Sequence, residues 1–268
     1  MVVLDLDDTL LTSEKTIPEA TVNYLKHLQN DDDVFLTFDT GRPYRAVKAY
    51  YDKLNLSGRI ICNSGSLIIA PHENNRIYFE VHHEASSINR IIDNMGIDSF
   101  LNIMVEDGHD LYLAYNNDVM KDFCYTEGMN VICGPRFHEI KSPSGAVFVL
   151  KDEKDRDRLM SLGNLPSSQT GLRFWENSNV AELYFKGVNK ASAMYQLARE
   201  EGIHRSDIIA FGDGESDIEM LYRSGFGVAM KNADDKVKRG ADMVSLDDNN
   251  HEGVRKTLEL LLPESYLK

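Results

Sequence analysis

Asp5 and Asp7 lie two residues apart, directly after the apolar run Val2-Val3-Leu4. If that run is a strand, its alternation sends both carboxylates to one face and Leu6 to the other. Adjacent carboxylates repel, so such a pair shares a proton or holds a cation; an acidic turn capping the next helix is the alternative. A second group, Thr40-Gly41-Arg42-Pro43, follows the apolar run Val34–Phe38. A hydroxyl, a glycine and free amides at a strand-to-helix turn can cradle an oxyanion, although a threonine cap followed by proline accounts for the same residues. The third group, Gly212-Asp213-Gly214-Glu215-Ser216-Asp217, carries three acids in five residues. Its glycines permit a sharp turn that brings Asp213 and Asp217 together, and oxygen-only clusters of this kind suit Mg²⁺. Lys190 is the fourth. A cation at the expected start of a helix is opposed by the helix dipole unless an anion sits there; a solvated lysine is the alternative.

Each group falls where a strand hands over to a helix or turn. Val2–Leu4 reads as a strand, Ile17-Pro18-Glu19 opens a helix, and Asp31-Asp32-Asp33 is an acidic turn before a second strand, Val34–Phe38. A helix from Pro43 and a third strand, Arg59–Cys62, continue the alternation. Continuous apolar strands alternating with helices predict a doubly wound parallel sheet covered on both faces, an α/β, Rossmann-like core. Ligands of such sheets bind beyond the carboxyl ends of the strands, where the acids lie. Between residues 82 and 182 the pattern changes to alternating strands such as Asp110–Tyr115 and Leu172–Glu176, which predicts an inserted antiparallel α+β domain with one wet sheet face. The rhythm returns with a helix at 190–201, a strand at 208–211 and helices at 218–223 and 254–262. The expected organisation is core 1–81, insert 82–182 and core 183–268.

The order acid pair, Thr-Gly, Lys, acid pair resembles the haloacid dehalogenase (HAD) superfamily of phosphoryl-transfer enzymes. Its four motifs match Asp5-Leu6-Asp7-Asp8-Thr9, Thr40-Gly41-Arg42, Lys190 and Gly212–Asp217. Gly227–Ala233, Ala241-Asp242 and His251–Val254 match further, and the position of the insert resembles the Cof-type branch with a C2B cap. The resemblance implies that Asp5 is the nucleophile and Asp7 the general acid and base. It also implies that Asp5, Asp7, Asp213 and Asp217 hold Mg²⁺, and that Leu6, Thr40, Gly41, Lys190 and Ser216 meet the phosphate. Dehalogenases of the superfamily lack the second motif aspartate, so Asp7 favours phosphoryl transfer. The chain departs from the pattern at three places: Ser64-Gly65 stands for the usual Asn-Gly, Ser216 for an asparagine, and Asp8 for a glycine, where a solvated side chain is expected. Substrate choice is expected from Arg42 and from polar or aromatic residues of the insert, namely Glu106, His109, Tyr112, Tyr115, Arg173, Trp175 and Glu182.

Among 268 residues, 43 acids against 29 bases give a formal charge of −14, which argues against an electrostatic grip on nucleic acid or anionic membrane. No run approaches the roughly 18 apolar residues of a membrane span, and the three scattered cysteines form neither a disulfide framework nor a C-x2-C zinc site. These features predict a cytoplasmic protein, and the resemblance implies a Mg²⁺-dependent phosphatase whose partner is a small phosphorylated metabolite, with sugar phosphates the leading class. A phosphomutase-type transferase, a receiver-like module that only accepts phosphate on aspartate, and a non-catalytic phospho-ligand binder are the alternatives.

Overall fold

The computed structural model describes residues 1–30, 34–175 and 178–262. The expected turn Asp31–Asp33 and Glu176, the last residue of an expected strand, lie outside that set. The chain forms two compact units, Met1–Phe79 with Val188–Lys268, and Glu80–Gly187.

The first unit begins with β1 (Val2–Leu4), α1 (Glu19–Asn30), β2 (Leu36–Phe38), α2 (Tyr44–Leu54), β3 (Ile60–Cys62), β4 (Leu67–Ala70) and β5 (Arg76–Glu80). The second unit contributes α3 (Ala85–Met95), β6 (Phe100–Asp107), β7 (Asp110–Leu113), β8 (Asn130–Cys133), β9 (Gly145–Leu150), α4 (Arg156–Gly163), β10 (Thr170–Phe174) and β11 (Val180–Phe185). The first unit resumes with α5 (Lys190–Glu200), β12 (Ile209–Gly212), α6 (Ile218–Arg223), β13 (Phe226–Ala229), α7 (Asp235–Lys238), β14 (Met243–Val244) and α8 (Gly253–Leu261).

The central sheet of the first unit has the order β14-β13-β12-β1-β2, and all its pairs are parallel. Alternation splits its side chains between two apolar clusters. Leu4, Phe38, Phe211 and Val228 pack with Leu25, Val47 and Leu258 from α1, α2 and α8. Val3, Ala210 and Ala229 pack on the other face with Met194, Leu221 and Val237 from α5, α6 and α7. The winding runs one way from β1 to β2 and the other way from β12 to β14. The order therefore reverses between β1 and β12, where crevices open in sheets of this kind.

The third expected strand does not join this sheet as a full member. β3 pairs antiparallel with β4 and touches the central sheet through a single parallel bridge, Asp39–Ile61. In the turn after β3, Asn63, Ser64 and Gly65 all have positive φ and send the chain straight back into β4.

The second unit has a six-stranded sheet, β10-β11-β9-β6-β7-β8. Its pairs are antiparallel as expected except β7–β8, which is parallel; the long connection 114–129 supplies the crossover such a pair needs. That connection also corrects the expectation of a wet face. One face packs Val105, Phe148 and Leu150 against Ile91 and Leu159 of α3 and α4. The other buries Met104, Leu113, Val147 and Val149 with Met120 from the connection, and Phe123 packs against them.

Candidate active site

Asp5 follows β1 one step beyond its last rungs, Leu4–Phe38 and Leu4–Phe211, and so lies between Asp39 after β2 and Gly212 of β12. The ladder continues here: the Asp5 amide donates to the Phe211 carbonyl at 3.1 Å and the Asp39 amide to the Leu4 carbonyl at 2.9 Å. The strand itself stops at Leu4, so alternation does not align Asp5 with Asp7 as expected. Leu6–Leu10 instead forms a wide turn, extended at Asp7 and left-handed at Asp8, closed by the Leu11 amide on the Leu6 carbonyl at 2.8 Å. Asp8 holds φ 54° within it, a conformation natural for glycine, and its side chain is half exposed.

Lys190 is 3% exposed. Its ammonium donates to Asp5 Oδ1 at 2.7 Å and to Asp217 Oδ1 at 2.6 Å. Burial alone would strip its charge, but Asp217, Asp5 and Asp39 more than reverse this and hold its pKa above the usual lysine range. The Asp5 and Asp217 carboxyls bonded to it also account for a cation at a helix N-terminus. Helix α5 starts here because Asn189 and Ser192 form a reciprocal cap, each side-chain oxygen accepting the other's amide at 2.9 Å. The Asn63–Gly65 turn packs on this cap so closely that a Cβ on Gly65 would run into the Asn189 carbonyl.

Asp217 is 1% exposed, and its second oxygen accepts the amides of Asp213 and Gly214 at 3.1 and 2.9 Å. Gly212 is required because a Cβ there would meet the Asp217 side chain. Asp213 accepts the Thr9 hydroxyl at 2.6 Å. Carboxylate oxygens of Asp5, Asp213 and Asp217 lie within 4.8 Å of one another. Burial, opposed by Lys190 but reinforced by Asp217 and Asp213, pushes Asp5 up to about 8. Burial, opposed by the Thr9 bond but reinforced by Asp217, pushes Asp213 up to about 7. Three close acids with one lysine leave uncompensated negative charge, and an all-oxygen donor set fits a hard divalent cation.

Asp7 has different surroundings. Arg42 grips it with Nε on Oδ2 at 2.7 Å and Nη2 on Oδ1 at 2.6 Å, and Lys15 Nζ lies 2.8 Å from Oδ1. Partial burial would raise its pKa, but these bonds and charges lower it to about 2. Arg42, expected to choose substrate, thus serves Asp7; its guanidinium also lies over the Tyr50 ring at 5.5 Å. The Tyr50 hydroxyl in turn donates to the Lys15 carbonyl at 2.9 Å. Lys15, Thr9 and Asp39 are partners of the site that sequence spacing did not single out. Thr9 was at least within the first motif, whereas nothing marked Lys15.

Thr40 is buried, its amide donating to the Ile61 carbonyl at 3.1 Å and its hydroxyl accepting the Arg42 amide at 3.2 Å. Gly41 follows it, and a Cβ there would approach Ser64 Oγ at 3.4 Å. Ser216 is exposed on the turn after β12. In the second unit, Tyr112 is 5% exposed within the core cluster and is a packing residue, not the expected substrate contact. Tyr115 donates to the Ile97 carbonyl and to Asp98. Arg173 is ion-paired with Glu182 at 2.6 Å, Trp175 packs edge-on against Phe123 at 4.9 Å, His109 is exposed, and Glu106 is half-buried.

Acids thus converge at the reversal of a parallel sheet, with one buried lysine between them. Residues 2–258 match the family model of haloacid dehalogenase-like hydrolases, and the chain belongs to that family as a phosphoric monoester hydrolase. It is 29% identical to the 5-amino-6-(5-phospho-D-ribitylamino)uracil phosphatase YitU of Bacillus subtilis, over 97% of this chain and 96% of that one. It is 25% identical to the pyridoxal phosphate phosphatase YbhA of Escherichia coli, over 95% of each. Its fold superposes on a haloacid dehalogenase-like hydrolase from Bacteroides thetaiotaomicron with a TM-score of 0.84 at 24% identity, covering 97% and 98% of the two chains. Among the described residues, no helix is long and apolar enough to cross a membrane.

Proposed function

We propose that the protein is a Mg²⁺-dependent phosphatase that hydrolyses the phosphate monoester of a small polyol or sugar-like metabolite through an aspartyl-phosphate on Asp5. The observation that carries this is the convergence of Asp5, Lys190, Asp213 and Asp217 at one sheet edge. The phosphoribityl substrate in the name of one relative supports the substrate class.

An oxygen of Asp5 attacks phosphorus and the ester P–O bond breaks, the leaving oxygen taking a proton from Asp7. Water then attacks the same phosphorus, giving its proton to Asp7; the P–O bond to Asp5 breaks and inorganic phosphate leaves. Lys190 offsets the repulsion between an incoming phosphate dianion and the carboxylates, and Thr40 and the Leu6 and Gly41 amides complete the phosphate cradle. Mg²⁺ would be held by Asp5, Asp213 and Asp217, with the Asp7 carbonyl, and would supply further positive charge against the phosphate oxygens. Asp7 is held ionised by Arg42 and Lys15, which suits it to receive the proton of the attacking water. To give a proton to the leaving oxygen, it has to loosen that grip first. The insert 82–182 acts as the cap that selects substrate, with Arg173, Glu182, Glu106, His109 and Trp175 its candidate contacts, and the enzyme works in the cytoplasm.

The test is phosphate release from a panel of phosphorylated polyols, sugars and cofactors, with Mg²⁺ and with chelator. Release that requires Mg²⁺ and is lost in Asp5→Asn is expected. Tight binding without release would instead identify a non-catalytic binder.

A further inference from the structure

Asp39 is fully buried, and among the described residues neither of its carboxyl oxygens has a hydrogen-bond partner. Such a group is costly. A buried carboxyl without partners stays neutral, and even then it gives up its bonds to water. Its backbone is well placed, with the amide on the Leu4 carbonyl and a bridge to Ile61, so the orphan is confined to the side chain. Asp39 adjoins the phosphate-cradle residue Thr40, and the sheet register puts it beside Asp5 on the neighbouring strand.

Lys190, bonded to Asp5, supplies a complementary group. A lysine ammonium has three N–H donors. Among the described residues, that of Lys190 has two acceptors, Asp5 and Asp217. Asp39 and Lys190 are within electrostatic reach of each other; burial, opposed by Lys190 but reinforced by Asp217 and Asp5, favours the neutral form of Asp39.

Building on the aspartyl-phosphate reading, we propose that Asp39 is a positioning residue that accepts an N–H from Lys190 while Asp5 is bonded to phosphorus. In the resting site Lys190 bridges Asp5 and Asp217. Once an Asp5 oxygen carries phosphorus, that oxygen is no longer available to accept the ammonium's N–H. Lys190 then turns to the carbonyl oxygen of Asp39, so it stays beside the phosphate through the attack of water. A neutral acceptor suffices, and Asp39 is costly to the fold because its partner arrives only during turnover.

The test compares Asp39→Leu, which fills the space without an acceptor, with Asp39→Asn, which keeps a carbonyl oxygen. Both are measured for melting temperature, KM and kcat with Mg²⁺ and a phosphorylated polyol that the wild type hydrolyses. Asp39→Leu is expected to melt at or above the wild-type temperature, keep KM within about twofold and lose about tenfold in kcat. Asp39→Asn is expected to recover most of that loss. A wild-type kcat in Asp39→Leu, a kcat loss accompanied by a lower melting temperature, or Asn as slow as Leu would each overturn the assignment. Wild-type protein that releases no phosphate from any substrate would instead overturn the function on which it rests.

Discussion

Replacing Lys190 by methionine keeps the length of the side chain and deletes the one cation between Asp5 and Asp217. In the metal-free protein at pH 7, Asp5 already holds its proton for much of the time, because its pKa stands at about 8. The loss therefore falls mainly on Asp217, which is 1% exposed and keeps only the amides of Asp213 and Gly214. Removing one partner of a buried pair costs about 3–5 kcal/mol, and proton uptake by Asp5 points to the lower end. For a chain of this size each kcal/mol moves the melting temperature by roughly 2–4 °C, so a drop of about 6–12 °C is expected in chelator. Mg²⁺ replaces part of the missing charge and should raise the melting temperature of the variant more than that of the wild type. Activity should not return with it, since a phosphate contact is gone, and kcat is expected to fall at least about a hundredfold. Scanning calorimetry with and without Mg²⁺, alongside phosphate release, measures all three. A variant in chelator that melts within a degree or two of wild type, or turns over within threefold, would refute the role given to Lys190.

Stability should depend on pH and metal together. Asp5 and Asp213 have folded pKa values of about 8 and about 7, above those of an unfolded chain, so the folded form binds more protons between about pH 4 and 8. Metal-free stability from these groups is complete below that window and is lost as pH rises through it; Mg²⁺ should remove the decline, and a gap between chelator and Mg²⁺ melting curves that does not widen with pH would contradict this. Arg42→Met removes a principal cause of the low Asp7 pKa and should move the Asp7 titration upward, from near 2 toward the ordinary carboxylate range, as followed by carboxyl NMR; an unmoved titration would show that Lys15 alone sets it. Gly65→Ala forces a Cβ against the Asn189 carbonyl at φ 97° and should cost about 1–3 kcal/mol, read by urea unfolding, while lowering kcat through displaced Lys190.

The core site was largely legible in the sequence because its residues sit at strand ends. A strand end can be read from an apolar run followed by glycine, threonine or acid, and strand ends converge in a parallel sheet. That logic singled out Asp5, Thr40 and Asp213; for Lys190 the dipole argument left a solvated lysine open, and only the order of the motifs singled it out. It failed where local backbone replaces the strand: the Leu6–Leu10 turn, not alternation, positions Asp7, and positive φ at Asn63 and Ser64 turns β3 into a hairpin. Arg42 and Lys15 show a second limit, since an exposed-looking cation carries no sign in the sequence of which acid it will grip. Asp39, between the strand Val34–Phe38 and Thr40, was not singled out, because a missing hydrogen bond exists only in three dimensions. In the insert, alternating patterns gave the sheet but not the crossover that covers its second face. Tyr112 therefore passed as a candidate contact while packing in the core.

The claim on which the rest depends is that Asp5 becomes covalently phosphorylated. Rapid acid quenching during turnover with a phosphorylated substrate and Mg²⁺, followed by mass spectrometry of the N-terminal peptide, tests it directly. Phosphate on Asp5, absent in chelator and in Asp5→Asn, is the predicted result. Turnover with an unmodified Asp5 and full activity in Asp5→Asn would contradict the account.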